Sequence, residues 1–289
     1  MNFLFRTPLS VLALIGALAH LPGALAQARP IFVLNSLDAS VSVVDPVSWK
    51  EVKRIPTGKE PHHFYLTPDE SSLIIANALS DSLTFIDPRT AEVQRTVRGI
   101  LDPYQLRFSP DMKWFVTVAN RLNHVDIYRW DNNTPTLVKR IATGKTPSHL
   151  WIDSKSTKVY ATMQDSNELI AIDLAKQTLL WRIKTGKMPA DIFGSVDDKT
   201  LYVGLTGSDG VEVFDVSAAQ PKRTKLSRNR TSKTFEFRVA DCKGFVTVGE
   251  YEDGQPGEIF VRVSKQGSTM AGINNNSSYF FRCLSKNMW

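Results

Sequence analysis

The chain has 289 residues, 42% of them hydrophobic and 10% aromatic, and a formal net charge of +6. That is globular composition, enough for one large or two modest domains, and it excludes collagen-like and low-complexity chains. Only two cysteines are present, Cys242 and Cys283, and neither belongs to a C-x-x-C, haem-attachment or zinc spacing, so the pattern supplies no metal site.

The first 26 residues read as a cleaved signal peptide. Arg6 gives a positive n-region, residues 11–18 an apolar core, and Ala24-Leu25-Ala26 an A-x-A cleavage site. Pro8, His20 and Pro22 break the apolar run below the length of a stable membrane span. Export to the periplasm or beyond is the expectation.

From residue 29 to 219 the chain repeats itself. IFVLNSLDASVSVVDP from Ile31 aligns with LIIANALSDSLTFIDP from Leu73, so that Asp45 and Asp87 fall 42 residues apart. The copy from Phe115 carries Arg129 in place of the aspartate. The next ends at Asp173, a step of 44 that extra residues around 131–135 explain, and a fifth ends at Asp215. Each copy has a β-branched run, a polar turn, a second alternating run to the aspartate, and a third run into Thr-Gly-Lys ahead of a proline. A fourth run, such as His63-Phe64-Tyr65-Leu66, follows that proline. Four short strands per period predict one antiparallel blade of a β-propeller. The aspartate suits a tight turn through backbone N–H bonds. The glycines Gly58, Gly144 and Gly186 are expected to supply positive φ.

Phe32-Val33-Leu34-Asn35, Val41-Ser42-Val43-Val44-Asp45 and Ile55-Pro56-Thr57-Gly58 with Pro61 resemble the YVTN-type propeller repeat family over about 190 residues. The fold expected is mainly β: an incomplete propeller of about four to five antiparallel blades. The loop after each repeat proline should ring one mouth of the channel. It offers His62, His63, Tyr104, Gln105, His149 and Asp191 as candidate binding residues for a small ligand, a metal or a haem, with drift among polar loop residues as the alternative. No catalytic set is visible. An unidentified small ligand or protein at this face is the expected partner, and open blade edges allow self-association.

After Asp215 the third run of the fifth copy is missing. Residues 220–233 carry Lys222, Arg223, Lys225, Arg228, Arg230 and Lys233, which reads as a solvated basic linker rather than a nucleic-acid surface. Residues 234–273 then form a small α+β module: a three-strand meander with turns at Cys242-Lys243-Gly244 and at residues 252–257, and a helix start at Gly267-Ser268-Thr269. Gly244-Phe245-Val246-Thr247-Val248-Gly249, Tyr251-Glu252-Asp253-Gly254, Pro256-Gly257-Glu258-Ile259-Phe260 and Lys265-Gln266-Gly267-Ser268-Thr269 closely resemble the TSCPD module of vitamin B12-dependent ribonucleotide reductases. That resemblance implies cytoplasmic relatives and a cobalamin cofactor. No cofactor is otherwise evident, because the reductase barrel and the terminal cysteine cluster are absent from this sequence. The tail, 274–289, is expected to be unstructured. A secreted propeller joined to a piece of a cytoplasmic enzyme points to a composite of two gene fragments without a complete catalytic site. The alternative is a reductase-related protein classed by its C-terminal segment.

Overall fold

The computed structural model describes residues 29–208, 210–218, 221–224, 230–239, 242–252, 254 and 256–263. The signal peptide, the helix start at Gly267, Cys283 and the 274–289 tail lie outside the described residues.

Four sheets of four antiparallel strands follow one another. They are β4 (Pro61–Leu66) to β7 (Val93–Arg98), β8 (Pro103–Phe108) to β11 (Thr134–Ala142), β12 (Pro147–Ile152) to β15 (Thr178–Lys184), and β16 (Pro189–Gly194) to β19 (Lys222–Thr224). The strands between are β5 (Leu73–Asn77) and β6 (Ser82–Ile86), β9 (Trp114–Ala119) and β10 (His124–Asp131), β13 (Lys158–Met163) and β14 (Glu168–Asp173), β17 (Thr200–Leu205) and β18 (Val211–Asp215). Ahead of them β1 (Ile31–Asn35), β2 (Ser40–Val44) and β3 (Glu51–Pro56) form a sheet of three.

The strand grammar therefore holds but its phase differs. The run after each proline opens the next blade instead of closing its own: β4 pairs with β5, not with β3. These first strands are innermost, and β4, β8, β12 and β16 lie side by side. Among the described residues blade one has no such strand. Its β1 is half-exposed, Val33 to 44%, where the equivalents Ile75, Ala161 and Val203 are fully buried. The expected incomplete propeller is thus open beside β1.

Burial explains the composition of the strands. Ile74 and Ala76 of β5 pack forward onto Phe115 and Tyr128, while Leu73 and Ile75 pack back onto Val41 and Val43. A middle strand covered on both faces reads as a continuous apolar run, hence LIIA and FVTVA. Each fully buried Leu, Ile or Phe contributes about 1.5–3 kcal/mol. The outermost strands are solvated: β7 and β15 alternate, and β11 is exposed along most of its length.

The turn aspartates behave as expected: Asp45 Oδ1 accepts from the Val47 and Ser48 N–H groups (3.1 and 2.6 Å), and Asp87 Oδ1 from Arg89 and Thr90 (2.8 and 3.1 Å). The glycines of Thr-Gly-Lys do not. Positive φ falls on the residue before each proline, Glu60, Asp102, Thr146 and Met188, and not on Gly58, Gly144 or Gly186. Those glycines are required by proximity: a Cβ on Gly58 would lie 2.7 Å from Asn77 Cβ, and one on Gly144 would lie 2.5 Å from Glu168 Oε2.

The linker assignment is corrected at both ends. Lys222–Thr224 supplies the outermost strand of the fifth blade, with Phe214 opposite Arg223, and β20 begins inside the basic run at Ser232. An outermost strand needs little apolar content, so three basic and polar residues suffice. The meander follows as β20 (Ser232–Val239), β21 (Cys242–Glu250) and β22 (Pro256–Val263). Val239 pairs with Cys242, so Cys242, Lys243 and Gly244 lie in a strand and not in a turn. β22 runs beside β18, and Val246 and Val248 are buried.

Candidate functional site

Every innermost strand starts with a break in its ladder. The register slips between Pro61 and His63, Pro103 and Gln105, Pro147 and Leu150, and Pro189 and Ile192. The candidate residues sit on these bulges, not in preceding loops as the sequence suggested. A bulge frees side chains from strict alternation and re-aims them. Here it brings the starts of four strands together.

The His62 and Tyr104 rings lie with centroids 4.0 Å apart, tilted by 32°, and His63 lies 4.8 Å from His62, 5.3 Å from Tyr104 and 5.2 Å from His149. His149 Nε2 is 3.7 Å from Asp191 Oδ1. Five of the six candidates thus form one contiguous cluster across four blades. Gln105 does a different job. It is buried, and its Oε1 accepts the Leu150 N–H at 2.6 Å, tying β8 to β12. His63 Nδ1 also ties blades, at 2.7 Å from the Tyr104 carbonyl oxygen, so it serves structure as well as the cluster.

The cluster favours neutral rings. Burial holds His149 well below the usual imidazole range, and the neighbouring His63, Arg107 and His62 push the same way. Burial also lowers His62, with Glu60 opposing and Arg121 reinforcing. It raises Tyr104, with Glu60 adding to the effect. The His62 and His149 imidazoles and the Tyr104 phenol thus offer stacking faces and hydrogen bonds more than charge. Among the described residues no group of three or more His, Cys, Asp or Glu is placed to hold a metal ion.

Beside it lies a network the sequence pattern did not single out. Arg121 bridges Glu60 and Asp102, both at 2.6 Å, and Asp102 Oδ2 accepts the Arg121 N–H at 2.5 Å. The N–H of three of the four left-handed residues is held by the preceding blade: Asp102 by Asp81, Thr146 by Asn123 and Met188 by Asn167, at 2.7–2.8 Å. Asp81, Asn123 and Asn167 recur at the repeat period, which was the available signal. Two rungs further along the innermost strands, Arg107 lies between Tyr65 and Trp151, its guanidinium 5.5 and 5.1 Å from their ring centroids.

Stacked four-stranded sheets around an axis, innermost strands adjacent, define a β-propeller. Its family is shown by a family model that matches residues 7–251: the chain belongs to the YncE-like beta-propellers. The match runs past residue 219, where the repeat stops being legible in sequence. Among solved structures, a putative 6-phosphogluconolactonase from Bacteroides uniformis is similar over 68% of this chain and 67% of that one (TM-score 0.58, 15% identity). The periplasmic gluconolactonase of Pseudomonas aeruginosa is similar over 82% and 85% (TM-score 0.57, 16% identity). At such identity these likenesses show the fold. A 63-residue stretch is 41% identical to the vitamin B12-dependent ribonucleotide reductase of Rhodopirellula baltica, covering 22% of this chain and 6% of that enzyme. The enzyme of Streptantibioticus cattleyicolor matches at 40% over 62 residues, 22% and 10%. The chain thus spans a tenth or less of these curated relatives. Among the described residues no helix is long and apolar enough to cross a membrane.

Proposed function

We propose that the chain is an exported propeller that binds a small ring-bearing ligand at the bulged ends of its innermost strands. The observation that carries this is the convergence of His62, His63, Tyr104 and His149 into mutual ring contact from three different blades. Neutral imidazoles and a phenol supply π-faces and paired donor and acceptor nitrogens, which suit a flat heteroaromatic ligand. A fragment screen by NMR, with the histidine side chains labelled, tests it. Hits should shift the His62 and His63 ring signals and be lost in His62→Ala; hits that map elsewhere refute the assignment.

The reductase-like segment supports a second proposal: this is a composite of two gene fragments, with cobalamin and ribonucleotide chemistry belonging to the parent of the second. Its support is that the match covers only 6–10% of the enzymes. Sequencing the transcript across residues 220–233 decides between a composite assembled from separate messages and one continuous gene. Ribonucleotide reduction by the purified chain with added adenosylcobalamin would overturn the assignment. The open edge at β1, with Val33 exposed, supports self-association; light scattering that shows a monomer argues against it.

A further inference from the structure

A cleft of about 320 Å³ lies between the Thr57-Gly58-Lys59 turn of blade one and strands β6 and β7 of blade two, with Ser80, Ser82, Thr84, Thr96 and Arg98 in its lining. The equivalent places in the other blades show what it lacks. Opposite Ser42, Asp126 and Ile170 in the ladders stand Arg54, Arg140 and Arg182. Each meets a carboxylate: Glu51 at 2.7 Å, Asp126 at 2.8 Å and Glu168 at 3.4 Å. In blade two the corresponding pair is Thr84 and Thr96, the arginine has moved two residues on to Arg98 opposite Ser82, and no carboxylate lines the space. Among the described residues neither Arg98 nor Lys59 makes an ion pair. The two acidic neighbours are turned away, Asp81 to the Asp102 N–H (2.8 Å) and Glu60 to Arg121 (2.6 Å).

The hydroxyls at the floor are poised as donors. Ser80 Oγ accepts from the Lys59 N–H at 2.7 Å, and Ser82 Oγ and Thr84 Oγ1 accept from Asn77 Nδ2 at 3.3 and 2.9 Å. A hydroxyl has one hydrogen to give. With these acceptor positions used, all three hydrogens remain for a ligand.

We propose that this cleft binds hydrogen phosphate or the phosphate group of a small monoester, the anion taking the place of the carboxylate that the sister blades carry in their own side chains. Guanidinium, ammonium and hydroxyl donors on one side of a polar cleft are the chemistry that recognises such an oxyanion.

The test is calorimetric titration of the whole chain with inorganic phosphate at pH 7, with acetate as a second arm. Saturable phosphate binding is expected, weakened about tenfold by Arg98→Gln and several-fold by Lys59→Gln. Both side chains are exposed, so these variants should melt as the wild type does. Lys145→Gln alters the matching lysine of blade three, where Asp126 and Arg140 fill the space, and should leave binding unchanged. Absence of saturable binding, indifference to Arg98→Gln, equal loss in Lys145→Gln, or acetate binding as tightly as phosphate would each overturn the proposal.

Discussion

Gly194→Ala should destabilise the seam between the fourth and fifth blades. An ideal Cβ at Gly194 would sit 2.2 Å from Trp151 Nε1 and 2.8 Å from its Cε2. Relaxed contact is about 3.5 Å, so the indole must retreat by about 1.3 Å. It has little room, because the Arg107 guanidinium sits 5.1 Å from its ring centroid and the Phe193 ring 6.0 Å. Overpacking of this kind costs about 1–3 kcal/mol, and the lost backbone freedom of the unfolded chain returns about 0.4–1 kcal/mol. A net loss of about 1–2 kcal/mol corresponds to a drop in Tm of about 2–8 °C for a protein of this size. Thermal melts followed by circular dichroism read the loss. Repeating the substitution in a Trp151→Leu background isolates the clash: there the alanine should cost nothing, giving a coupling of about 1 kcal/mol or more. Wild-type melting of the single variant, or an undiminished cost in the double variant, would refute the reasoning.

Gln105→Ala should cost about 1–3 kcal/mol in a denaturant titration, because it strands the buried Leu150 N–H that Gln105 Oε1 now accepts. His149 is held neutral, its folded pKa below the unfolded value of about 6.5, so its contribution is complete above that pH and is lost as pH falls below it. Melts at pH 7.5 and 5 should therefore show a loss on acidification that is smaller in His149→Gln. Asp126 has its carboxylate lowered despite the opposing desolvation, through Arg140 and His124, so the stability it supplies is present above about pH 4 and lost below it. Asp126→Asn should lower the melting temperature at pH 7 and narrow the difference from wild type as pH approaches 2.

The candidate cluster was legible because it recurs. Four prolines at the repeat period marked four equivalent places, and His62, Tyr104, His149 and Asp191 follow them at one or two residues. Their convergence into a cluster was not separable from Gln105, which follows Pro103 in the same way yet turns into the seam to accept a backbone N–H. Which side of a bulge a residue faces depends on the neighbouring strand, and no local pattern carries that. The charged network of Glu60, Asp102 and Arg121 was invisible for the same reason, since its members come from three separate turns brought together only by the stacking of blades.

The period, the four strands in each period and the aspartate turns were legible in the amino-acid order, because each depends on residues within a few positions of one another. The tertiary structure alone decided the phase of the repeat. A period is unchanged by where it is cut, and only the pairing of β4 with β5 shows that the strand after the proline belongs to the next blade. It also decided the role of the turn glycines. Positive φ settled on Glu60, Asp102, Thr146 and Met188, whereas the glycines answer to side chains of the adjacent blade that approach within 3 Å. Finally it found the fifth blade's last strand in a basic stretch, since an outermost strand is held by its ladder to β18 and needs no apolar face of its own.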